Sequence, residues 1–230
     1  SNSGKTCLND FNTKSKTGLT RAADYERRAV APYNAMLAPL TNANIAGILW
    51  YQGENNSGMV DSYSAAMTKL ISKWRSLFRD TDDQLPFLVV QLPAFAGGPG
   101  GWSEFRLMQH DIVKKTANTY LAVTIDCADN PQNIHPVDKT VVGQRLAAIA
   151  RSVVYKQNVV YTGPTFSGAN IQGSRLILSF DPNSDSLVTT AKNNAVNGFE
   201  LSENGNDYYV AQGVLVDGKV ELTAEGVDFP

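Results

Sequence analysis

The chain has 230 residues, a formal net charge of -2, 43% hydrophobic and 18% charged residues, which is an ordinary globular balance. The near-neutral charge argues against a partner held by bulk electrostatics, so neither nucleic acid nor an anionic membrane surface is expected. No stretch approaches the roughly 18 apolar residues of a membrane span.

Residues 1 to about 20 are polar and without periodicity, and read as a loop or tail. The "SGKT" they contain imitates the end of a phosphate-binding loop, but without the strand and glycine-rich turn of that motif it reads as coincidence. The two cysteines, Cys7 and Cys127, show neither metal-type spacing nor a CxxC motif, and the plainer reading is two free thiols.

A helical pattern runs from Arg21 to Leu40 and ends near Pro39. Ile45 to Tyr51 is expected as a buried strand that runs into "QGENN", where Gln52, Glu54, Asn55 and Asn56 surround Gly53. Val60 to Phe78 repeats apolar residues at helical spacing, Tyr63 among them. "PFLVVQLPAF", Pro86 to Phe95, reads as a strand buried on both faces and is followed by a glycine loop. Glu104 to Thr116 is expected as a helix. "TYLAVTIDCAD" is expected as another buried strand ending at Asp126, and a helix from about Val137 to Tyr155 follows it.

This alternation of strand and helix predicts an α/β fold: a parallel sheet flanked by helices, over residues 1–158. Residues 159–230 read as a small antiparallel β segment, with short strands at "ILSFD", "SLVTT", "GFELS", "DYYVAQG" and "KVELTAEGV" and turns at "DPNSD", "SENGND" and "VDGK".

In parallel sheets ligands bind beyond the carboxyl ends of the strands. Three loops therefore matter: Gln52–Asn56, Gln91–Trp102 and Asp126–His135. Histidine is the natural proton-transfer group near neutral pH. Of the two histidines, His110 lies inside a helical pattern, whereas His135 lies in "NIHPVDK" between a strand end and a helix start. No metal cluster, no cofactor motif and no GxSxG elbow accompanies it, and no cofactor is expected.

"GILWYQGENN" together with "IHPVDKTVVGQRLAAIA" resembles the sialate O-acetylesterases, a branch of the SGNH-hydrolase superfamily. "PYNAMLAPL", "EFRLMQ", "TIDCAD" and "YTGP" followed by "GFEL" lie in the matching order. The resemblance implies part of an SGNH-like sheet and a carbohydrate esterase that removes O-acetyl groups from sugars by serine–histidine chemistry. It gives the base role to His135 and the oxyanion pocket to the Gln52 to Asn56 segment. Within that segment the amide of Gln52 and the N–H of Gly53 are the donors, and Glu54 orients its neighbours or a sugar hydroxyl. Asn55 and Asn56 are expected near substrate, as are Trp102 by stacking on a sugar and Arg106 and Gln109, which match an "R..Q" pattern.

The family's "GQSN" serine block is absent. Ser1-Asn2 matches two of its letters without the strand that would hold such a serine. The expectation is a C-terminal portion of the enzyme, inactive alone, whose partners are an O-acetylated glycan and a missing N-terminal segment of the same protein. The group that orients His135 stays open: Asp126, Asp129 and Gln132 are candidates, and a backbone carbonyl would also serve. Acetylated xylan is the alternative substrate, and a non-catalytic glycan-binding module the alternative from another class. The resemblance further suggests a secreted or periplasmic protein.

Overall fold

The computed structural model describes residues 31–78, 84–96, 101–181 and 187–228. The chain forms two compact units, Ser1–Val159 and Val160–Pro230. The expected helix from Arg21 lies largely outside the described residues, as do Cys7 and the "DPNSD" turn. Its described end is a π turn, Tyr33–Leu37, running into a 3-10 turn, Ala38–Leu40.

In the first unit β1 (Ile48–Trp50), β2 (Phe87–Val90) and β3 (Thr119–Ala122) pair in that order, all parallel. The helices α1 (Val60–Leu77), α2 (Trp102–Lys115) and α3 (Thr140–Val153) follow β1, β2 and β3 in turn. β2 is central and buried in all four residues. Side chains alternate along a strand, so Phe87 and Val89 share a face. They join Ile48, Met67 and Ile71 of α1, and Phe105, Met108 and Ile112 of α2 in one cluster. Leu88 and Val90 point the other way and are also buried, and α3 packs on β2 and β3 with Val142 and Ile149 buried. Among the described residues no helix is long and apolar enough to cross a membrane.

β2 stops at Val90 rather than running on to Phe95, and two further strands depart from the sequence reading because of their place in the sheet. Leu49 is 63% exposed rather than buried, since among the described strands β1 is an outer one and α3 covers β2 and β3. β3 ends at Ala122 with Tyr120 and Leu121 only half-buried, and a 3-10 turn, Ile125–Cys127, replaces the expected extension to Asp126. The cause is Thr124, fully buried, whose hydroxyl donates to the Gln91 carbonyl and draws the chain back over the end of β2. α3 starts at Thr140 rather than Val137, with the Asp138 carboxylate accepting the Thr140 N–H at 2.7 Å.

The second unit is a five-stranded antiparallel sheet in the order β4 (Thr165–Gln172), β5 (Arg175–Asp181), β10 (Lys219–Thr223), β9 (Gln212–Val216), β6 (Ala195–Val196). The short pair β7 (Glu200–Leu201) and β8 (Tyr209–Val210) stands beside it in the chain. Leu178, Leu201, Ala211, Val220, Leu222 and Val227 form its core. The β9–β10 hairpin turns at Asp217–Gly218, a dipeptide suited to two-residue hairpin loops. β4 is absent from the sequence reading because its residues are almost all exposed and do not alternate. "SLVTT" is not a strand over Leu187–Thr190: the Thr189 hydroxyl donates to Ala195 O and accepts from Ala191 N, closing a loop that leaves Val188 88% exposed.

One buried cation holds the base of the first unit. Arg75, 2% exposed on α1, donates Nε–H to Leu85 O at 3.0 Å and Nη2–H to Ala117 O and Asn118 O at 2.8 and 2.9 Å. These carbonyls lie just before β2 and β3, so Arg75 fixes where both strands enter the sheet. Replacing it with Met removes the donors and keeps the bulk. Arg75→Met is expected to lower unfolding stability by about 3 kcal/mol, at about 1 kcal/mol per bond lost, read as a lower urea midpoint at unchanged slope.

Candidate functional site

Because β1, β2 and β3 are parallel, their carboxyl ends open on one edge of the sheet, and the three polar loops of the sequence reading leave from that edge. The first loop turns at Gly53. Its φ of +148° is one that side-chain-bearing residues rarely adopt, and a Cβ there would lie 2.5 Å from the Phe105 ring. Past that turn Glu54–Asn56 form a 3-10 turn, with Asn56 N–H donating to Gly53 O at 2.8 Å.

Gln52 is held at both ends of its amide. The Tyr63 hydroxyl accepts from Trp50 Nε1–H at 3.1 Å and faces Gln52 Oε1 at 2.9 Å, while Gln52 Nε2 donates to Asn56 Oδ1 at 2.9 Å. Tyr51 and Tyr63 both have phenols pushed above the usual value, chiefly by burial, with the negative charge of Glu54 adding to it. Glu54 is half-buried beside them, and Asn55 is exposed.

The β2 exit is a buried polar junction. Gln109, 2% exposed, accepts the Leu92 N–H at 2.9 Å and donates to Val90 O at 3.3 Å. Arg106 donates Nε–H to Leu92 O at 2.8 Å and Nη2–H to Gln91 Oε1 at 3.1 Å, and Gln91 Nε2 returns a bond to Arg106 O. Burial lowers the Arg106 pKa. Trp102 is buried, donates its indole N–H to Pro93 O at 2.9 Å and meets the Phe95 ring edge-on. The structure places these three residues, expected at substrate, in the packing at the end of β2. The amide of Gln109 and the indole N–H of Trp102 are bonded inside the fold, and half-buried Arg106 places Nε–H and Nη2–H on the backbone and side chain at the end of β2. Gln91 and Thr124, which carry this junction with them, were not signalled by the sequence. His110 lies mid-helix with Nδ1 3.4 Å from Asp111 Oδ1.

The third loop joins the second through Ala96 N–H to Pro131 O at 2.7 Å. His135 is exposed, and its backbone N–H donates to Asn133 Oδ1 at 3.0 Å. Among the described residues its imidazole has no hydrogen-bond partner. Pro136 next to it is buried, Lys139 Nζ donates to Pro136 O at 2.6 Å, and the same ammonium lies 5.3 Å from the centre of the Tyr51 ring. The histidine turn is thus tied to the residue just before Gln52, and the structure brings the Gln52–Asn56 segment and His135 to one edge.

None of the candidate orienters engages the His135 ring. Asp126 is gripped by Arg145 of α3, Nη1 to Oδ1 at 2.6 Å and Nη2 to Oδ2 at 2.7 Å, and Arg145 also donates to Val123 O. Asp129 is exposed, and exposed Gln132 bonds through its backbone to Asn130 Oδ1. Arg145 is a further residue the sequence did not signal: it ties the end of β3 to α3, the two ends from which the histidine loop hangs. Cys127 is a free thiol. Its pKa is raised, first by burial and then by Asp126, which keeps it protonated and a poor nucleophile near neutral pH.

Comparison with known proteins places this geometry. Residues 14–152 match the family model described as carbohydrate esterase, sialic acid-specific acetylesterase. The chain is 33% identical over 188 residues to sialate O-acetylesterase of Mus musculus, covering 74% of this chain and 34% of that protein. It is 35% identical over 150 residues to the Rattus norvegicus sialate O-acetylesterase, covering 57% of this chain and 28% of that protein. A crystal structure of a carbohydrate acetylesterase from Xanthomonas citri superimposes with a TM-score of 0.74 at 33% identity, over 86% of this chain and 46% of that one. The chain therefore spans about a third of the length of the curated relatives it matches.

Two predictions follow from this geometry. Gly53→Ala is expected to cost about 2 kcal/mol or more through backbone strain and overlap with Phe105. Gly58→Ala, whose Cβ would meet nothing within 4 Å, is expected to be near neutral; thermal melting of the two variants compares them. For the Asp126–Arg145 pair, Arg145 holds the Asp126 carboxyl below its ordinary value of 3.8. The folded pKa is depressed, so the stabilisation is present above 3.8 and is lost as the pH falls through the folded value. The Asp126 side chain is 58% exposed and that of Arg145 34%, so solvent screens the pair. A double-mutant cycle of Asp126→Asn and Arg145→Gln in urea is expected to give a coupling of about 0.5 kcal/mol at neutral pH, vanishing in acid.

Proposed function

The chain belongs to the sialic acid-specific acetylesterase family of carbohydrate esterases, and we propose that the protein removes O-acetyl groups from sugars, with O-acetylated sialic acid as substrate. The observation that carries this reading is the convergence of the Gln52–Gly53 turn and the His135 turn on one sheet edge, tied together through Lys139 and Tyr51.

In this reading the nucleophile is a serine of the "GQSN" block, supplied by a segment outside these 230 residues. His135 accepts the serine proton as the serine oxygen bonds to the acetyl carbon. The carbonyl oxygen becomes an oxyanion that receives the spare N–H of Gln52 and the N–H of Gly53. Losing one such donor typically costs about 10²–10³ in rate. The imidazolium then returns its proton to the departing sugar oxygen, and water, deprotonated by the same histidine, releases acetate from the acyl-enzyme. Glu54 and Asn55, polar and at the mouth of the turn, face the sugar hydroxyls. Membership of the family and the matching position of "IHPVDK" support these roles.

The test is acetate release from O-acetylated sialic acid, with acetylated xylan in parallel, by the protein carrying the serine segment. His135→Ala is expected to lower the rate by about 10² or more. A variant keeping more than about a tenth of the rate would remove His135 from the base role. Release by the 230 residues alone would place the nucleophile within them.

A further inference from the structure

We infer that Tyr63, on the first turn of α1, is a positioning residue that fixes which end of the Gln52 amide faces the crevice. The inference rests on Gln52 as an oxyanion donor. It adds a residue from a different element, one whose place in the sequence reads as an apolar helix position.

The geometry fixes the first donor in the chain of bonds, and the shorter hydroxyl contact sets the next. An indole N–H can only donate. Trp50 Nε1–H donates to the Tyr63 hydroxyl at 3.1 Å, so the hydroxyl's own proton must go elsewhere. The acceptors recorded beside it both belong to Gln52: Oε1 at 2.9 Å and the backbone oxygen at 3.2 Å. With Oε1 turned to the phenol, Nε2 is turned to Asn56, whose Oδ1 accepts at 2.9 Å. One N–H of the amide is thereby used, and among the described residues no acceptor takes the other.

An amide free to rotate would present its oxygen as often as its nitrogen. An oxygen facing a developing oxyanion repels it, so orientation decides whether Gln52 helps or harms. The Tyr63 ring is itself constrained. It meets the Phe105 ring edge-on at 4.7 Å, the same ring that closes against Gly53. The phenol is held in its protonated form by burial and by Glu54, so its role as donor does not change across the neutral range.

Tyr63→Phe removes the hydroxyl and keeps the ring. Two readouts test it. The first is the chemical shift and water-exchange rate of the Gln52 side-chain amide protons in the 230-residue chain, assigned by their loss in Gln52→Met. The second is acetate release by the protein carrying the serine segment. We expect shifted and faster-exchanging amide protons, and a kcat lower by about 10- to 100-fold with KM within about twofold. Unchanged amide signals would overturn the inference, whatever the rate does. Changed signals with an unchanged kcat would uphold the positioning and overturn the assignment of Gln52 to the oxyanion. Should Tyr63→Phe not fold, Asn56→Ala releases the other end of the same amide, and unchanged Gln52 signals there would overturn the inference equally.

Discussion

The closure of Phe105 against Gly53 is the contact on which the candidate site depends. Phe105 is fully buried on α2, and a Cβ at Gly53 would lie 2.5 Å from its ring. Such an approach is open only to a residue with no side chain, and the φ of +148° that accompanies it favours glycine as well. The tight turn that results stops β1 and swings Glu54–Asn56 back over the sheet edge. The same ring abuts Tyr63 and so reaches the hydroxyl that faces Gln52. One aromatic side chain thus couples α2, α1 and the end of β1.

The end of β2 is held by a different means. Arg106, Gln109 and Thr124 satisfy backbone groups of Gln91 and Leu92 just past the end of β2, and the Gln91 amide bonds back to the Arg106 carbonyl. Each such group left unpaired in a buried place would cost about 1–3 kcal/mol. Polar side chains are therefore needed at this depth, and no buried side-chain nitrogen or oxygen among the described residues lacks a partner. An "R..Q" pattern on a helix beside a glycine loop looks like ligand recognition in one dimension. In three dimensions the Gln109 amide and two of the Arg106 N–H groups bond within the protein itself. Arg145 makes the corresponding tie for the third loop from the opposite helix, holding Val123 and Asp126 so that the histidine turn hangs between two fixed ends.

Much of the fold was legible because local patterns carried it. The α1 apolar spacing places that helix within a residue of its observed bounds, the buried run of β2 places the start of that strand though not its end at Val90, and the alternation of strand and helix implies the parallel sheet. What failed locally failed for non-local reasons. Leu49 is apolar yet exposed because no described helix covers its face of β1, and β3 stops short because Thr124 finds an acceptor 33 positions away in the chain. β4 was missed because an outer strand exposed on nearly all its residues has no alternation to read. At the site, His135 and the Gln52 segment stood out as polar residues at strand ends. Tyr63 did not, since a tyrosine in an amphipathic helix looks like core until its hydroxyl partner is known.

The sequence by itself determined the alternating elements, the glycine on which the first loop turns, the histidine loop and the kinship with acetylesterases, because each is written in short contiguous stretches. The tertiary structure alone decided which polar residues are free to act. Gln109, Trp102 and Asp126 are spent on Leu92, Pro93 and Arg145, whereas one N–H of Gln52 and the imidazole of His135 are left without a partner among the described residues. The physical reason is that a hydrogen bond consumes a donor and an acceptor drawn from distant parts of the chain. Which groups remain for chemistry is therefore fixed only once folding has paired the others.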